Sequence, residues 1–321
     1  MRLQLIPRCE GRILSGESFV IRLLIGFLTF VLLPDSQVKA QELPGENLQC
    51  GTVLPAGDSL DSLYARHQRF LEGLGGPVGL LGLKIIPVQF HIIRDDGGSG
   101  GPPGGEGGLL TELDMYVNPR YAGAGLVFVA CAPANIVNST EFQTLSDYTE
   151  GNTMASMYNV PNVLNIYVVD DPAGLCGWAW FTTDPYDYVV LAYDCATNTS
   201  TMAHEIGHYF DLFHTHETKF GDELVDGSNC TTAGDLICDT PADPILFDAG
   251  TMMYKVDLAC MYTGTEMDAN GQMYMPDPTN LMSYSRKDCR DNFTPLQLAK
   301  ANYTADNGRS YVNLISCPPG T

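Results

Sequence analysis

Apolar residues fall in short runs bounded by glycine, proline and asparagine through the first two thirds of the chain, the pattern of buried strands. Ile85-Ile86-Pro87-Val88-Gln89-Phe90-His91-Ile92-Ile93 predicts one such strand. Gly125 to Cys131, Val163 to Val169 and Tyr188 to Tyr193 predict three more, with Cys176 to Phe181 a short edge strand. The glycine and proline tract from Asp95 to Gly108 reads as a loop. It has neither the lysine nor the strand-to-helix setting of a phosphate loop. Leu109 to Val117 reads as a covering helix, and the stretch from Thr201 places Met202, Ile206, Phe210 and Phe213 at helical spacing. Regular structure thins out after His216 until Thr294-Pro295 opens a last helix reaching about Asn307. The class predicted is α+β: a twisted mixed sheet with a backing helix and a second helix along its lower edge, then an irregular C-terminal subdomain. At 321 residues and 45% hydrophobic content the chain has ample material for a packed core. No solenoid repeat is present.

Upstream of the first strand the pattern differs. The apolar run Leu23 to Leu33 follows Arg2, Arg8, Arg12 and Arg22 and precedes Val38-Lys39-Ala40. It is too short to cross a bilayer as a helix and predicts a secretory signal cut after about Ala40. Residues 41–83, with an amphipathic piece from Leu60 to Leu74, predict a segment laid over something larger, a pro-segment. The remaining expected divisions are residues 84–214, carrying the sheet and edge helix, and 215–321. Without the first 40 residues the chain carries 12 basic against 35 acidic side chains, net −23. Nucleic acid and anionic membranes are therefore excluded as partners, and the surface hints at tolerance for lysine or arginine in a ligand. Of the 10 cysteines, Cys9 leaves with the signal and nine remain, so at least one has no intrachain partner. Cys176 and Cys195 flank the edge strand and make a pair. Cys230, Cys238, Cys260 and Cys289 form two bridges whose connectivity the spacing leaves open. Cys50 is the candidate free thiol, with a bridge to Cys317 as the alternative.

The chemistry concentrates in Thr201 to His216, TMAHEIGHYFDLFHTH. His204 and His208 leave one helix face a turn apart, a spacing that suits two imidazoles on a zinc ion, and Glu205 beside them is placed to act as general base on the attacking water. A catalytic zinc takes three protein ligands, and His214 completes the set if the chain reverses near Asp211. His216 is read as a loop residue and His91 as a core one.

These residues resemble the metzincin signature HExxHxxGxxH, with Asp211 at the glycine position, where aspartate tolerates a left-handed backbone at a cost of roughly 1 kcal/mol. Met282, in Asn280-Leu281-Met282-Ser283-Tyr284, resembles the methionine turn of that clan. Together HEIGHYFDLFHTH, GDLICDTPADP, NLMSYS and CRDNFTP resemble the pappalysin family, its ulilysin-like secreted members in particular, over roughly residues 84 to 305. The resemblance implies a metzincin-like zincin fold and a secreted zinc endopeptidase made as a zymogen and acting on protein or peptide substrates. It implies His204, His208 and His214 as zinc ligands, Glu205 as base, Tyr284 as oxyanion donor and Met282 as the apolar floor. Cys50 in Cys50-Gly51-Thr52 is a candidate fourth zinc donor that keeps the precursor inactive. The family often binds structural calcium, and Asp235, Asp239, Thr240 and Asp243 are the chemically sensible ligands. Two rivals stand beside this reading: a zinc hydrolase with a distant glutamate as third ligand, and a secreted calcium- or zinc-stabilised binding module without catalysis. Oligomeric state is not legible.

Overall fold

The computed structural model describes residues 50–74 and 82–312. The signal expected at 1–40 lies outside them.

A sheet carries the site. From one edge to the other its strands run Leu126–Ala130, Lys84–Arg94, Leu164–Val169, Val189–Ala192 and Gly177–Ala179. The first four are parallel and the last is antiparallel to its neighbour. The central strand Lys84–Arg94 is long enough to pair a further short strand, Asn135–Asn138, beyond the end of Leu126–Ala130. Buried parallel strands are apolar on both faces, which is why they read as continuous runs. One face, with Ile86, Val88, Phe90 and Ile92, packs on Leu109 and Leu113 and on Met202 and Ile206. The other, with Tyr167, Val169, Trp178 and Val190, packs on Met154 and Ala155 of the helix Tyr148–Tyr158. The sequence pattern predicts a single backing helix. There are helices on both faces, and Tyr148–Tyr158 escapes notice because Gly151, Asn152 and Thr153 blunt its periodicity. Its start is fixed by Asp147, whose carboxylate accepts from Thr149 and Glu150 N–H.

The expected covering helix begins earlier, as Gly105–Glu112, and widens into a π-helical turn at Leu113–Val117. The last helix is Pro295–Asn307, opened by a capping box between Thr294 and Gln297. The C-terminal region is irregular and braced by Cys230–Cys238 and Cys260–Cys289, while Cys176–Cys195 ties the edge strand to the loop after its neighbour. Cys131 is also disulfide-bonded and Cys50 is free.

Upstream of the sheet, helix Asp58–Gly73 lies on the outside of this body. It buries Leu63, His67 and Phe70, one face at spacings of four and three. Leu63 joins Phe181, Phe213 and Leu236 in a small apolar cluster. His67 hydrogen-bonds Leu236 O at 2.8 Å, and burial pushes its pKa down to about 3, so the ring is neutral. Phe70 packs at a tilt against Tyr303 beside the buried Lys300 ammonium. Each apolar side chain so covered contributes roughly 1.5–3 kcal/mol. This face is enough to seat the helix.

Candidate metal centre and active site

Helix Thr201–Tyr209 is wholly buried and leans on the edge strand. It stops where the chain must reverse. Asp211 takes φ 62°, Asp211 N–H returns to His208 O at 2.9 Å and Leu212 N–H to Gly207 O at 3.0 Å, the paired bonds of a left-handed helix cap. The strain of a non-glycine residue there, roughly 1–2 kcal/mol, is offset because the carboxylate has partners a glycine would lack. Thr182 N–H donates to Oδ1 at 2.9 Å and Thr182 Oγ1 to Oδ2 at 2.7 Å. Asp211 therefore does the glycine's conformational work and also fastens the turn to the loop after the edge strand.

The reversal brings the third imidazole back. His208 Nε2 lies 3.1 Å from His204 Nε2 and 3.0 Å from His214 Nε2. The outer nitrogens are pinned: His204 Nδ1 to Leu281 O and His208 Nδ1, at 2.8 Å, to Leu212 O in the cap itself. Nδ1–H groups donating to carbonyls leave both Nε2 lone pairs facing inward. All three rings are buried, and burial first, then neighbouring cationic and imidazole groups, holds each well below the ordinary histidine pKa range, against backbone bonds to His204 and His208 that act the other way. Neutral nitrogens crowded lone pair to lone pair repel one another, and a cation removes that repulsion. Nitrogens sharing a tetrahedral ion at 2.0–2.1 Å stand about 3.3 Å apart, so the set fits a metal. Cys50 Sγ joins the same cluster, all four donor atoms lying within 4.8 Å of one another.

Glu205 is on this helix, fully buried, with Oε2 accepting from Thr52 Oγ1 at 3.1 Å and from Cys50 Sγ at 3.5 Å; its Oε1 has no partner among the described residues. Burial raises its pKa to about 7. Met282 lies under the helix: a Cβ on Gly207 would stand 2.6 Å from its sulfur, so only glycine admits the methionine this closely. Tyr284 packs its ring on His214 and His216 and donates its hydroxyl to Cys50 O at 2.8 Å. His216 is stacked on His214 and stays outside the donor cluster. His91 is a core residue, stacked on Tyr167 and bonded to Asn165.

The segment from Cys50 enters the cleft as an added strand: Cys50 bridges Gly177 in parallel and Gly51 N–H donates to Gly177 O at 2.7 Å. Tyr148 donates to Gly51 O, and Thr52 Oγ1 accepts from Ala179 N–H at 2.9 Å. Sequence reasoning found Cys50 but missed Thr52 and Tyr148, which hold it in place. The quoted Cys50-Gly51-Thr52 motif was the available signal for the first. Nothing marked the second.

A buried acidic cluster sits behind His214. Asp243 Oδ2 accepts from Thr215 Oγ1 at 2.6 Å, and Asp235 Oδ1 from Thr240 Oγ1 at 2.9 Å. Glu223, unmarked in the sequence, lies near enough to raise Asp235 and is itself raised to about 8, by burial and then by Asp243. Asp239 does not join. It is exposed and accepts from Leu296 N–H at the start of the last helix.

No protein-family model matches the chain. An extracellular metalloprotease of Verticillium alfalfae is 27% identical over 267 residues, 77% of this chain and 86% of that one. One from Sordaria macrospora is 23% identical over 269 residues, covering 76% and 83%. Among solved structures, a Tannerella forsythia promirolysin variant superposes with TM-score 0.51 at 21% identity, over 83% of this chain and 97% of that one. Mirolysin in complex with compound 9 gives 0.50 at 21%, over 73% and 97%. The chain is an extracellular metalloprotease, acting on proteins or peptides. Its fold is the one it shares with mirolysin.

Proposed function

We propose that the metal is zinc, held by Nε2 of His204, His208 and His214, and that the described state is the latent precursor of a secreted endopeptidase. The observation that carries this is the convergence of three neutral imidazoles, two with their outer N–H groups pinned to backbone carbonyls. Zinc bound there would polarise the scissile carbonyl and acidify the attacking water. Glu205 takes the water's proton at its free carboxylate oxygen and returns it to the leaving amine. Tyr284, whose phenol already donates to a peptide carbonyl in the cleft, would turn that hydrogen bond on the substrate's carbonyl oxygen as negative charge builds. Met282 supplies the floor that fixes the helix. Cys50 takes the remaining position in the precursor, and residues 41–83, behind an export signal ending near Ala40, form the pro-segment.

His214→Ala separates this from a layout with a distant carboxylate as third ligand. Metal analysis of the purified chain is expected to fall from about one equivalent of zinc to a small fraction, with peptide cleavage lost. Near-normal zinc and activity would favour the rival. The non-catalytic binding module is disfavoured by Glu205, a buried carboxylate aimed at the cleft with one oxygen unengaged.

The acidic cluster is read as a calcium site of Glu223, Asp235, Thr240 and Asp243, replacing Asp239 with Glu223. Glu223 Oε2, Asp235 Oδ2 and Asp243 Oδ1 are buried without hydrogen-bond partners among the described residues, an arrangement that oxygen-seeking Ca²⁺ relieves. Adding calcium to the zinc-loaded, calcium-stripped chain at about 100 times its dissociation constant should stabilise it by about 2.7 kcal/mol, a rise in Tm of roughly 5–10 °C. Asp235→Asn should abolish most of that rise in a thermal scan; an unchanged rise removes the site.

A further inference from the structure

A narrow cleft, open to solvent, lies beside Glu205 and His204, between the active-site helix and the chain after Tyr284. Cys176, Thr201, Tyr254 and Ser285 line it, and so do two cations, Lys287 and Arg290. In a chain of net charge −21 that is an unexpected place for positive charge.

Arg290 is 6% exposed, and no carboxylate among the described residues lies within ion-pair distance of it. Its NH2 donates to Ser200 Oγ at 3.2 Å. NH1 stands 3.4 Å from His204 Nδ1, but that nitrogen's hydrogen already goes to Leu281 O, so it has no lone pair to offer. Nε has no partner among the described residues. Glu205 shares the cleft without pairing, its Oε2 held by Thr52 and Cys50. A buried guanidinium with no carboxylate partner and Nε unengaged among the described residues is costly until an anion arrives, and a carboxylate matches its fork. Lys287 approaches from the disulfide wall, its Nζ 3.6 Å from Cys195 Sγ.

We infer that this cleft receives the side chain of the residue supplying the leaving amine, and that Lys287 and Arg290 select aspartate or glutamate there. The inference rests on the peptidase reading. Because Glu205 returns its proton to the amine nitrogen, the space that Glu205 itself lines adjoins the residue on that side of the bond. Lysine or arginine at that position would meet two like charges and be disfavoured. The tolerance for basic residues hinted at by the acidic surface is thus reversed at the one place where the substrate is gripped.

The test uses the full secreted chain, zinc-loaded and activated by limited proteolysis until mass analysis shows residues 41–83 gone. A peptide library is digested and the new N-termini are sequenced. Aspartate and glutamate are expected to be enriched there at least 10-fold over alanine, with lysine and arginine depleted. For matched peptides differing only at that residue, Lys287→Glu should lower the Asp-to-Ala ratio of kcat/KM at least 10-fold and raise the Lys-to-Ala ratio. Using ratios keeps the reading independent of how much enzyme folds. Cleavage with basic or apolar residues enriched, with the acidic preference at the new C-termini, or with ratios unmoved by Lys287→Glu, overturns this inference and leaves the peptidase standing. No cleavage of any peptide by zinc-loaded enzyme takes both down.

Discussion

Glu205→Gln, activated and zinc-loaded, should keep its fold and a full equivalent of metal while kcat/KM for peptides drops by roughly 10²–10⁴-fold, the usual worth of a positioned general base. The two properties separate because the proposed ligands are imidazoles and the carboxylate is none of them. Glutamine preserves the shape of the side chain, and the Thr52 hydroxyl that approaches Glu205 Oε2 at 3.1 Å in the latent form leaves with the pro-segment. What glutamine loses is the ability to hold a proton between water and leaving amine. Its new amide N–H₂ is left in a buried position where Oε1 already lacks a partner, a cost of about 1–3 kcal/mol that a thermal scan reads apart from the kinetics. Activity within a few-fold of wild type, with one zinc bound, removes Glu205 from the mechanism.

The same residues show what a sequence can and cannot carry. Strands buried on both faces announce themselves as apolar runs, so Lys84–Arg94, Leu164–Val169 and Val189–Ala192 emerge near their predicted bounds. Histidine spacing on a helix is a local property, and the reversal that brings in His214 follows from needing it back. Yet the cap that makes the reversal is held by Thr182, and its partner Asp211 had been read only as a tolerated strain. That gain depends on tertiary contact and leaves no local trace. Glu223 and Arg290 were hidden for the same reason. An acid or a base in an irregular stretch looks like surface until the chain is folded over it. Asp239 shows the opposite error, an oxygen in the right stretch that faces a helix start. Helix Tyr148–Tyr158 was missed because its weak periodicity gave no face, although Asp147 was a legible cap.

Replacing Cys50 by alanine tests the latency built into this arrangement, and it should make the uncut precursor cleave a small peptide at least 10-fold faster than the wild-type precursor. Sγ lies within the imidazole cluster and, with the thiol approaching Glu205 at 3.5 Å, it occupies both the place of the attacking water and the reach of the base. Removing it frees that space without releasing the segment. Gly51 still pairs with Gly177, Thr52 still holds Glu205, and helix Asp58–Gly73 still buries Leu63 and Phe70, two side chains that together favour docking by roughly 3–6 kcal/mol. The Cys50→Ala precursor should therefore remain slower than the mature enzyme. Adding Leu63→Ser and Phe70→Ser, which weaken docking without touching the cleft, should supply most of the remaining increase. Initial rates are read while gels show the precursor intact, so that self-processing does not mimic the effect. Equal rates for wild-type and Cys50→Ala precursors would mean that the thiol is a bystander and that the strand and helix alone close the cleft.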